Sequence, residues 1–426
     1  MNNKYYVKPI LNPINKTVVV PGSKSMTNRA LLMAALSDKR STLKGVLFSD
    51  DSRHFLGSLQ SLGYEMNIDE PAKTVSIKGT GGIIPNKTGT IDVGSAGTAA
   101  RFLTAMLALS EGEYTINCSE QMKRRPMKQL FDILTYMGAE FTYLENEGFL
   151  PVKVKGCTTT VQNINMDISS STQYLSAMLM IASCLPNGLG IRITSEKTDG
   201  SYIRITRNMM KEFGVESEFD GTNYFVKGNQ NIDIQDYYIE PDVSGACYFY
   251  ALAAMTGSSI TVKNVFRTSV QGDMKFLNLL EDMGCKVTET ESGINITGSQ
   301  TPYSGIDINM NDFSDQALTL AAMAPYATSD TTIRGIAHIR GQECDRINAI
   351  VNELSRVGIR CESTEDSVTI HPGTVKPATI TTYDDHRVAM AFSLLGLKSD
   401  GIIIDDPGCC RKTFENYFDV LDSLYQ

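Results

Sequence analysis

Two cations and two hydroxyls follow a Pro-Gly pair near the amino terminus, in the stretch "VVVPGSKSMTNR" of residues 18–29. After Gly22, the chain places Lys24, Ser25 and Arg29 at the start of a predicted helix. Helix N-termini carry unpaired N–H groups and a partial positive charge, so this pattern favours a phosphate or carboxylate ligand. The stretch is not a P-loop, because a serine precedes Lys24 and no second glycine stands at the required spacing. A turn that leads into an ordinary N-cap is the alternative.

Polar or small residues also open five further predicted helices that are rich in Ala, Leu and Met. They are Ser95, Gly97 and Thr98; Ser171, Thr172 and Gln173; Asp242 and Ser244; Ser314 and Asp315; and Asp385, His386 and Arg387. Independent N-caps explain the Ser and Asp residues of this set, but cations near a helix N-terminus oppose its dipole. Lys24, Arg29 and Arg387 therefore favour an anion-binding cleft on which the N-termini of two sets of helices converge.

The helices that must position these residues alternate with a second set, in which an apolar run ends at a glycine and strand-like alternation follows. The glycines are Gly63, Gly138, Gly214, Gly284 and Gly358, at spacings of 75, 76, 70 and 74 residues. Six units of about 71 residues account for the 426-residue chain, and this period is longer than the ~20–50 residues of solenoid repeats. Each unit is therefore expected to be a small α/β fold, with the Ala-rich helices buried and the glycine-ended helices more exposed.

Six units divide naturally into two domains of three, and a chain of this length exceeds one ordinary core. Pro241 interrupts the chain between the third and fourth units, within "YYIEPDV" at residues 237–243. The sequence thus predicts an α/β protein with a domain boundary near this proline.

The bulk composition excludes several classes of partner. A net charge of −9 argues against nucleic acid and against a membrane surface, because both need basic patches. Nine cysteines without a C-x-x-C pair indicate neither a disulfide framework nor a zinc ribbon, and four histidines, none paired at i, i+4, argue against a metal site. The sequence shows no apolar core of a signal peptide and no run long enough to span a membrane, so we expect a cytoplasmic protein.

Ten short motifs, read in chain order, resemble those of the 5-enolpyruvylshikimate-3-phosphate synthase family. They are "PGSKSMTNRA", "SDDSRH", "SAGTAARF", "MKRRPM", "SSTQYLSAMLM", "SVQGD", "FSDQALT", "QECDRI", "YDDHRVAMAFSL" and "KTFENYF". The resemblance extends over essentially the full chain. One such motif is weak support, but ten in register are specific.

The resemblance implies a two-domain inside-out α/β barrel of the enolpyruvyl transferase type, with six repeated α/β units, three per domain. It implies a first domain of residues 22–240 and a second domain of residues 1–21 and 241–426. The implied reaction transfers the enolpyruvyl group of phosphoenolpyruvate to the 5-hydroxyl of shikimate 3-phosphate and releases phosphate, in chorismate and aromatic amino acid biosynthesis. The chemistry is addition followed by elimination, without a metal or organic cofactor, and we expect a monomer.

The resemblance also implies roles for individual residues. Lys24 matches the lysine between the two substrates, Asp315 the carboxylate that binds the attacking hydroxyl, and Glu343 an acid that handles the methyl or methylene proton. The implied shikimate 3-phosphate ligands are Lys24, Ser25, Arg29, Ser171, Thr172, Gln173, Tyr202, Asp315, His338 and Gln342. The implied phosphoenolpyruvate ligands are Lys24, Gly97, Arg125, Gln173, Arg346, Arg387 and Lys412.

Several positions depart from the common motifs of the family. Ser95 and Phe102 replace the asparagine and the proline of N-A-G-T-A-x-R-P, His338 replaces a common asparagine, and Asp199 replaces a common serine. Gln342 replaces the lysine of K-E-[ST]-D-R. A neutral amide at this position can donate hydrogen bonds to a ligand, but it supplies no charge.

A related enzyme class remains an alternative. UDP-N-acetylglucosamine enolpyruvyl transferases share the fold and the donor substrate, phosphoenolpyruvate. In that family a reactive cysteine precedes an arginine, and in this chain Cys118 likewise lies upstream of Arg125. The spacing here is longer, however, the loop lacks the glycines of that family, and Lys24 is followed by Ser25 rather than by asparagine.

A non-catalytic anion-binding homologue is the second alternative. Gln342 favours it, because the family lysine is missing there. The presence of Lys24, Asp315 and Glu343 together argues against it, since binding alone does not require both acids beside the cations.

Overall fold

The computed structural model describes residues 4–426, which form two compact units. The first, here called the central unit, contains residues 22–240. The second, the split unit, contains residues 4–21 and 241–426; residues 1–3 of the predicted second domain lie outside the described residues. Three small sheets in each unit confirm the α/β class and its three repeats per domain. Within residues 4–426, no helix has the length and apolar character needed to cross a bilayer.

Buried and half-exposed helices alternate along the chain. The twelve α-helices within residues 4–426 are α1 (Lys24–Leu36), α2 (Asp50–Ser61), α3 (Gly97–Ala108), α4 (Lys128–Tyr136), α5 (Thr172–Ala182), α6 (Ser201–Glu212), α7 (Val243–Thr256), α8 (Lys275–Asp282), α9 (Ala317–Met323), α10 (Arg346–Arg356), α11 (His386–Ser393) and α12 (Tyr417–Ser423). The odd-numbered helices are the Ala-rich set, and nearly all of their residues are buried. The even-numbered helices bury one face only. The predicted division into buried and more exposed helices is thus confirmed.

Short strands connect these helices. The described strands are β1 (Tyr5–Tyr6), β2 (Asn15–Val18), β3 (Arg40–Lys44), β4 (Met66–Asp69), β5 (Thr74–Lys78), β6 (Thr88–Asp92), β7 (Gly112–Asn117), β8 (Glu140–Tyr143), β9 (Val152–Gly156), β10 (Asn163–Met166), β11 (Leu189–Ile193), β12 (Ser217–Phe219), β13 (Asn223–Val226), β14 (Asp236–Tyr238), β15 (Ser259–Lys263), β16 (Lys286–Thr290), β17 (Gly293–Thr297), β18 (Asp307–Asn309), β19 (Thr331–Arg334), β20 (Cys361–Ser363), β21 (Val368–Ile370), β22 (Ala378–Ile380) and β23 (Ile402–Ile404). Most alternate buried and exposed residues, which is typical of sheets with one face against a core.

Five of the six described sheets share one four-stranded topology, and the sixth has three strands. The central unit holds β14-β3-β5-β4, β6-β7-β9-β8 and β10-β11-β13-β12, and the split unit holds β16-β17-β15-β2, β18-β19-β21-β20 and β1-β23-β22. Each sheet contains one parallel pair, such as β6 and β7, in which Thr88 lies opposite Glu113. A parallel pair needs a crossover connection, and the buried α3 supplies it here. In the last sheet the amino-terminal strand β1 lies antiparallel to β23.

The repeat glycines end the even-numbered helices α2 to α10. Gly63, Gly138, Gly214, Gly284 and Gly358 have φ angles of 89°, 111°, 78°, 90° and 83°. This left-handed conformation is the usual helix C-terminal stop, and it favours glycine because a Cβ is disfavoured there. The period that was visible in the sequence is therefore the period of helix termination.

The odd-numbered helices begin in two different ways. Ser171, Asp242 and Asp385 accept hydrogen bonds from backbone N–H groups in the first turns of α5, α7 and α11. Among residues 4–426, no side chain caps α1 or α3. The N-cap interpretation thus accounts for three of the six odd-numbered helices and, within the described residues, leaves the N-termini of α1, α3 and α9 without a side-chain acceptor.

Candidate active site

Lys24, the first residue of α1, forms an ion pair with Asp51 in the first turn of α2. Nζ of Lys24 lies 3.1 Å from Oδ2 of Asp51, whose side chain is 4% exposed. Oδ1 of Asp51 is buried and has no hydrogen-bond partner within residues 4–426. An ammonium group has three donors, so this pair orients the lysine and leaves further donors for a ligand.

The guanidinium of Arg29 lies in the interior of the central unit, where α1, α5 and α6 meet. Its Nε donates to Thr206 Oγ1 at 2.7 Å, and its Nη1 donates to the carbonyl oxygen of Ser25 at 2.9 Å. Its Nη2 donates to Ser176 Oγ and to the carbonyl oxygen of Tyr202, each at 3.2 Å. Burial lowers the pKa of Arg29 to about 10. A buried cation with only neutral acceptors strengthens the attraction of this region for an anion.

Gly97 begins α3, and two guanidinium groups lie directly against it. A Cβ at Gly97 would come within 2.7 Å of Arg101 Nη1 and 2.8 Å of Arg125 Nη1, so any larger residue would displace both groups. Arg101 is anchored, because its Nη1 donates to the carbonyl oxygen of Gly97 at 3.0 Å. Nε of Arg125 is buried without a hydrogen-bond partner in the described chain. A guanidinium beside an uncapped helix N-terminus suits bidentate binding of a carboxylate or phosphate.

Ser171, Thr172 and Gln173 form the beginning of α5. Oγ of Ser171 accepts the backbone N–H of Gln173 at 3.3 Å. Oε1 of Gln173 is buried, and no group in residues 4–426 donates to it. An unsatisfied buried amide oxygen costs free energy, so this oxygen indicates a ligand that carries a donor, such as a hydroxyl.

Arg346, the first residue of α10, is 1% exposed and uses all five of its N–H donors. Nε and Nη2 donate to the two oxygens of Asp385 at 2.8 and 3.2 Å. Nη1 donates to Asp315 at 3.1 Å, and Nη2 also donates to Glu343 at 2.9 Å. The fifth acceptor is Oε1 of Gln342. Burial by itself lowers the pKa of Arg346, but the three carboxylates outweigh burial and raise the pKa above its usual value.

Asp315 lies in the 3₁₀ turn Ser314–Gln316, directly before α9. Its Oδ1 accepts from Arg346, and its Oδ2 accepts from Nη2 of Arg387 at 3.0 Å. Asp315 is therefore a nearly buried carboxylate fixed between two cations. Such an acceptor can bind and orient a substrate hydroxyl.

A second buried acid, Asp273, is bound by the residue that follows Asp315. Nε2 of Gln316 donates to Oδ2 of Asp273 at 3.2 Å, and the hydroxyl of Ser244 donates to the same oxygen. Burial raises the pKa of Asp273 to about 7, and the negative charge of Asp315 acts in the same direction. The split unit thus holds a carboxyl group that titrates near neutral pH close to the candidate base.

Of the two remaining predicted residues of the split unit, His338 is partly buried and Lys412 is buried. Nε2 of His338 lies 2.8 Å from Oγ of Ser314, next to Asp315. Lys412 ends the 3₁₀ turn Pro407–Lys412 and is 5% exposed.

The predicted site residues are divided between the two units. The central unit holds Lys24, Ser25, Arg29, Gly97, Arg125, Ser171, Thr172, Gln173 and Tyr202, and the split unit holds Asp315, His338, Gln342, Glu343, Arg346, Arg387 and Lys412. The sequence predicts no role for Asp51, Arg101 or Asp273 and predicts for Asp385 only a place at the start of a helix, although all four lie in quoted motifs. Their signal was present in "SDDSRH", "SAGTAARF", "SVQGD" and "YDDHR", but a motif does not say which of its polar residues supports the others.

The fold defines the chain as an enolpyruvyl transferase-type α/β protein. It matches the structure of EPSP synthase from Acinetobacter baumannii with a TM-score of 0.82, at 23% identity, over 99% of this chain and 98% of that chain. It also matches an enolpyruvyl transferase from Streptomyces tendae with a TM-score of 0.76, at 15% identity, over 99% and 96% of the two chains. At these identities the matches speak for the fold alone.

Sequence comparison identifies the family. The profile of EPSP synthase (3-phosphoshikimate 1-carboxyvinyltransferase) matches residues 9–421. Proteins named 3-phosphoshikimate 1-carboxyvinyltransferase from Trichormus variabilis and Nostoc punctiforme are 42% and 43% identical to this chain over 412 residues, which cover 96% of this chain and 96% of each relative. The chain therefore belongs to the EPSP synthase family, and the predicted fold and family are confirmed.

Proposed function

We propose that this protein is a 3-phosphoshikimate 1-carboxyvinyltransferase, which transfers the enolpyruvyl group of phosphoenolpyruvate to the 5-hydroxyl of shikimate 3-phosphate. The observation that carries the proposal is the identity of about two residues in five with proteins of that name over 96% of the chain. The side chains support it chemically. Both substrates carry phosphate and carboxylate groups, and both groups of site residues are rich in cations and free helix N–H groups.

On the donor side, the proposed phosphoenolpyruvate ligands are Lys24, Gly97, Arg125, Gln173, Arg346, Arg387 and Lys412. Planar guanidinium groups bind carboxylate and phosphate oxygens in pairs, and a lysine supplies a compact charge. Arg125 supports this role best, because its guanidinium lies at the uncapped N-terminus of α3 without an acidic partner in the described chain.

On the acceptor side, the proposed shikimate 3-phosphate ligands are Lys24, Ser25, Arg29, Ser171, Thr172, Gln173, Tyr202, Asp315, His338 and Gln342. The buried oxygen of Gln173 supports a hydroxyl donor at this place. The cation of Arg29 and the hydroxyls at the start of α5 support a phosphate nearby.

The proposed chemistry is addition followed by elimination. Asp315 accepts the proton of the 5-hydroxyl of shikimate 3-phosphate while the oxygen of that hydroxyl bonds to C2 of phosphoenolpyruvate. A proton is added to the methylene carbon of phosphoenolpyruvate. Elimination then removes a proton from the new methyl group and breaks the C–O bond to phosphate. Glu343 transfers the proton to or from this methylene or methyl carbon. Lys24 stabilises the developing charge and assists proton transfer. No redox or cofactor step is needed for the atoms and electrons to balance.

Phosphate release tests the proposal. The purified protein is expected to release phosphate from phosphoenolpyruvate only when shikimate 3-phosphate is present, and a chelator is expected to change nothing. Release that depends on UDP-N-acetylglucosamine would instead assign the chain to the alternative transferase. We further propose that the enzyme acts as a monomer in the cytoplasm, which size-exclusion chromatography with light scattering and cell fractionation test.

A further inference from the structure

Glu353 is a buried acid of α10 that the proposed mechanism does not use. Its side chain is 0% exposed, whereas the side chain of its ion-pair partner on the same helix, Arg356, is 46% exposed. Nε of Arg356 lies 2.9 Å from Oε2 of Glu353. A surface ion pair alone explains neither the complete burial of the acid nor its other contacts.

The other two contacts of Glu353 reach the loop that precedes α11. The phenol of Tyr383 donates to Oε1 at 2.7 Å, and the backbone N–H of Thr381 donates to Oε2 at 3.0 Å. Each carboxylate oxygen thus takes one bond from the loop. The carboxylate of Glu353 therefore links Thr381 to Tyr383, and we call this pair of hydrogen bonds the clamp.

The clamped loop has an unusual backbone. Tyr383 and Asp384 have φ angles of 57° and 51°, so two consecutive non-glycine residues are left-handed. This conformation is disfavoured for residues with a Cβ, and it persists only when the surroundings enforce it. The two loop residues that donate to Glu353 are Thr381, which lies two residues before this pair, and Tyr383, which is its first member.

Asp385, the next residue, connects this loop to the candidate site. It caps α11 through the N–H of Arg387 at 2.9 Å, and its two oxygens bind Arg346. A change in the left-handed pair would rotate the backbone that carries Asp385. The guanidinium of Arg346 would then lose a fixed partner, and the backbone N–H of Arg387 would lose its acceptor.

We propose that Glu353 is a positioning residue, which holds the loop 381–384 in its left-handed conformation and thereby fixes Asp385, Arg346 and Arg387. What these arginines hold, phosphoenolpyruvate, rests on the proposed function. Glu353 itself contacts no predicted site residue, so it acts only through the loop. The left-handed pair stores the strain, and the buried carboxylate opposes its release.

The test compares E353Q with I350V. Glutamine has the same shape as glutamate, but it replaces one acceptor oxygen by an NH₂ group, so one loop contact is lost. I350V shortens a buried side chain of the same helix and leaves the clamp intact. Steady-state kinetics on the full chain, thermal unfolding and hydrogen exchange of the segment Thr381–Asp385 are measured for both variants.

We expect E353Q to raise the KM for phosphoenolpyruvate by about 10-fold, within the 100-fold range that small misplacements cause. The KM for shikimate 3-phosphate, most of whose proposed ligands lie in the central unit, should change by less than about two-fold. Exchange in the segment Thr381–Asp385 should accelerate in E353Q but not in I350V. The double variant E353Q/D384G should recover much of the lost affinity, because glycine adopts the left-handed conformation freely.

An unchanged KM for phosphoenolpyruvate in E353Q, or an equal rise in I350V, would overturn the positioning role. If E353Q does not fold, Y383F removes the phenol donor alone and should raise the same KM to a smaller extent. Y383F kinetics identical to the wild type would then overturn the proposal. A wild-type protein without phosphate release would refute the proposed function, and the exchange measurement would still decide whether Glu353 clamps the loop.

Discussion

Every N–H donor of the Arg346 side chain already donates to an acceptor within residues 4–426. A substrate anion can therefore reach it only by replacing a partner. Three of its four partners are carboxylates, whose negative charge attracts the guanidinium in addition to accepting its hydrogen bonds, whereas Gln342 offers only an amide dipole. The neutral amide of Gln342 is thus the partner that is most easily exchanged. We therefore infer that residue 342, which departs from the family motif, controls how accessible Arg346 is to the proposed donor substrate.

Gln342→Lys should lower the KM for phosphoenolpyruvate. Lysine cannot accept from Arg346, so one donor is released, and the substitution adds a cation. A charge-assisted bond exceeds a neutral one by about 0.5–2 kcal/mol, which corresponds to roughly 2- to 30-fold. Gln342→Glu is the matched control and should raise the same constant, because it ties Arg346 more strongly and adds negative charge. If both variants lie within about two-fold of the wild type, residue 342 does not influence donor binding.

We expect the titration of Asp273 to make the free energy of unfolding depend on pH. Its pKa is raised to about 7 by burial and by Asp315, whereas an unfolded Asp titrates near 3.9. The folded state therefore binds the extra proton between these values, and the stability that this group contributes is present at about pH 4 and lost as the pH rises through about 7. Asp273→Asn removes this titration. The free energy of unfolding from urea titrations should therefore fall with pH more steeply in the wild type than in the variant over this window, and parallel curves would contradict the assignment.

At the level of the helices, Arg29 joins three helices of the central unit. Its four acceptors lie on α1, α5 and α6, and all of them are neutral. The sequence predicts that the cations near helix N-termini bind an anion. The structure adds that Lys24, Arg29 and Arg387 each have protein partners, so each cation also holds elements in place.

Arg29→Lys should lower the free energy of unfolding and weaken shikimate 3-phosphate binding together. A lysine keeps the charge, but its single nitrogen cannot reach acceptors on three helices, and we expect a loss of about 1–3 kcal/mol. Arg192→Lys, at an exposed position of β11, is the control and should change stability by at most about 0.5 kcal/mol. A variant at position 29 that is as stable as the control would show that the buried hydrogen bonds contribute little.

For the whole molecule, the residues proposed to act in the reaction are divided between the two units, with Lys24 in the central unit and Asp315 in the split unit. The chain passes from the split unit to the central unit after residue 21 and returns at residue 241. The strand β2 pairs in parallel with β15, so the amino-terminal segment is part of the core that contains Asp315.

A mixture of two inactive variants tests whether one chain forms a complete site. Lys24→Met and Asp315→Ala should each lose at least about 10²–10⁴-fold in turnover while remaining folded, because each removes a group that acts in proton transfer or charge stabilisation. Mixing the two proteins should restore nothing if every site uses a single chain. Activity well above the sum of the separate variants would show shared sites and contradict the proposed monomer.

Local physics made much of this protein predictable from its sequence. Glycines at spacings of 70–76 residues mark helix ends, because the left-handed stop strongly favours glycine, and the Ala-rich runs are buried because they offer little polar surface. These two patterns reveal six repeated α/β units. Each motif that carries the family resemblance is a contiguous stretch of sequence. The motifs together therefore contain most of the residues proposed for the site.

Only the tertiary structure decided which of these residues support the others. Asp385, Asp315 and Gln342 surround Arg346 from three segments of the chain, and Glu353 reaches a loop about 30 residues further on. Hydrogen bonding and burial depend on distances in space, and short motifs contain no information about them. The pKa of Asp273 is raised for the same reason, because the desolvation and the neighbouring charge come from residues remote in sequence.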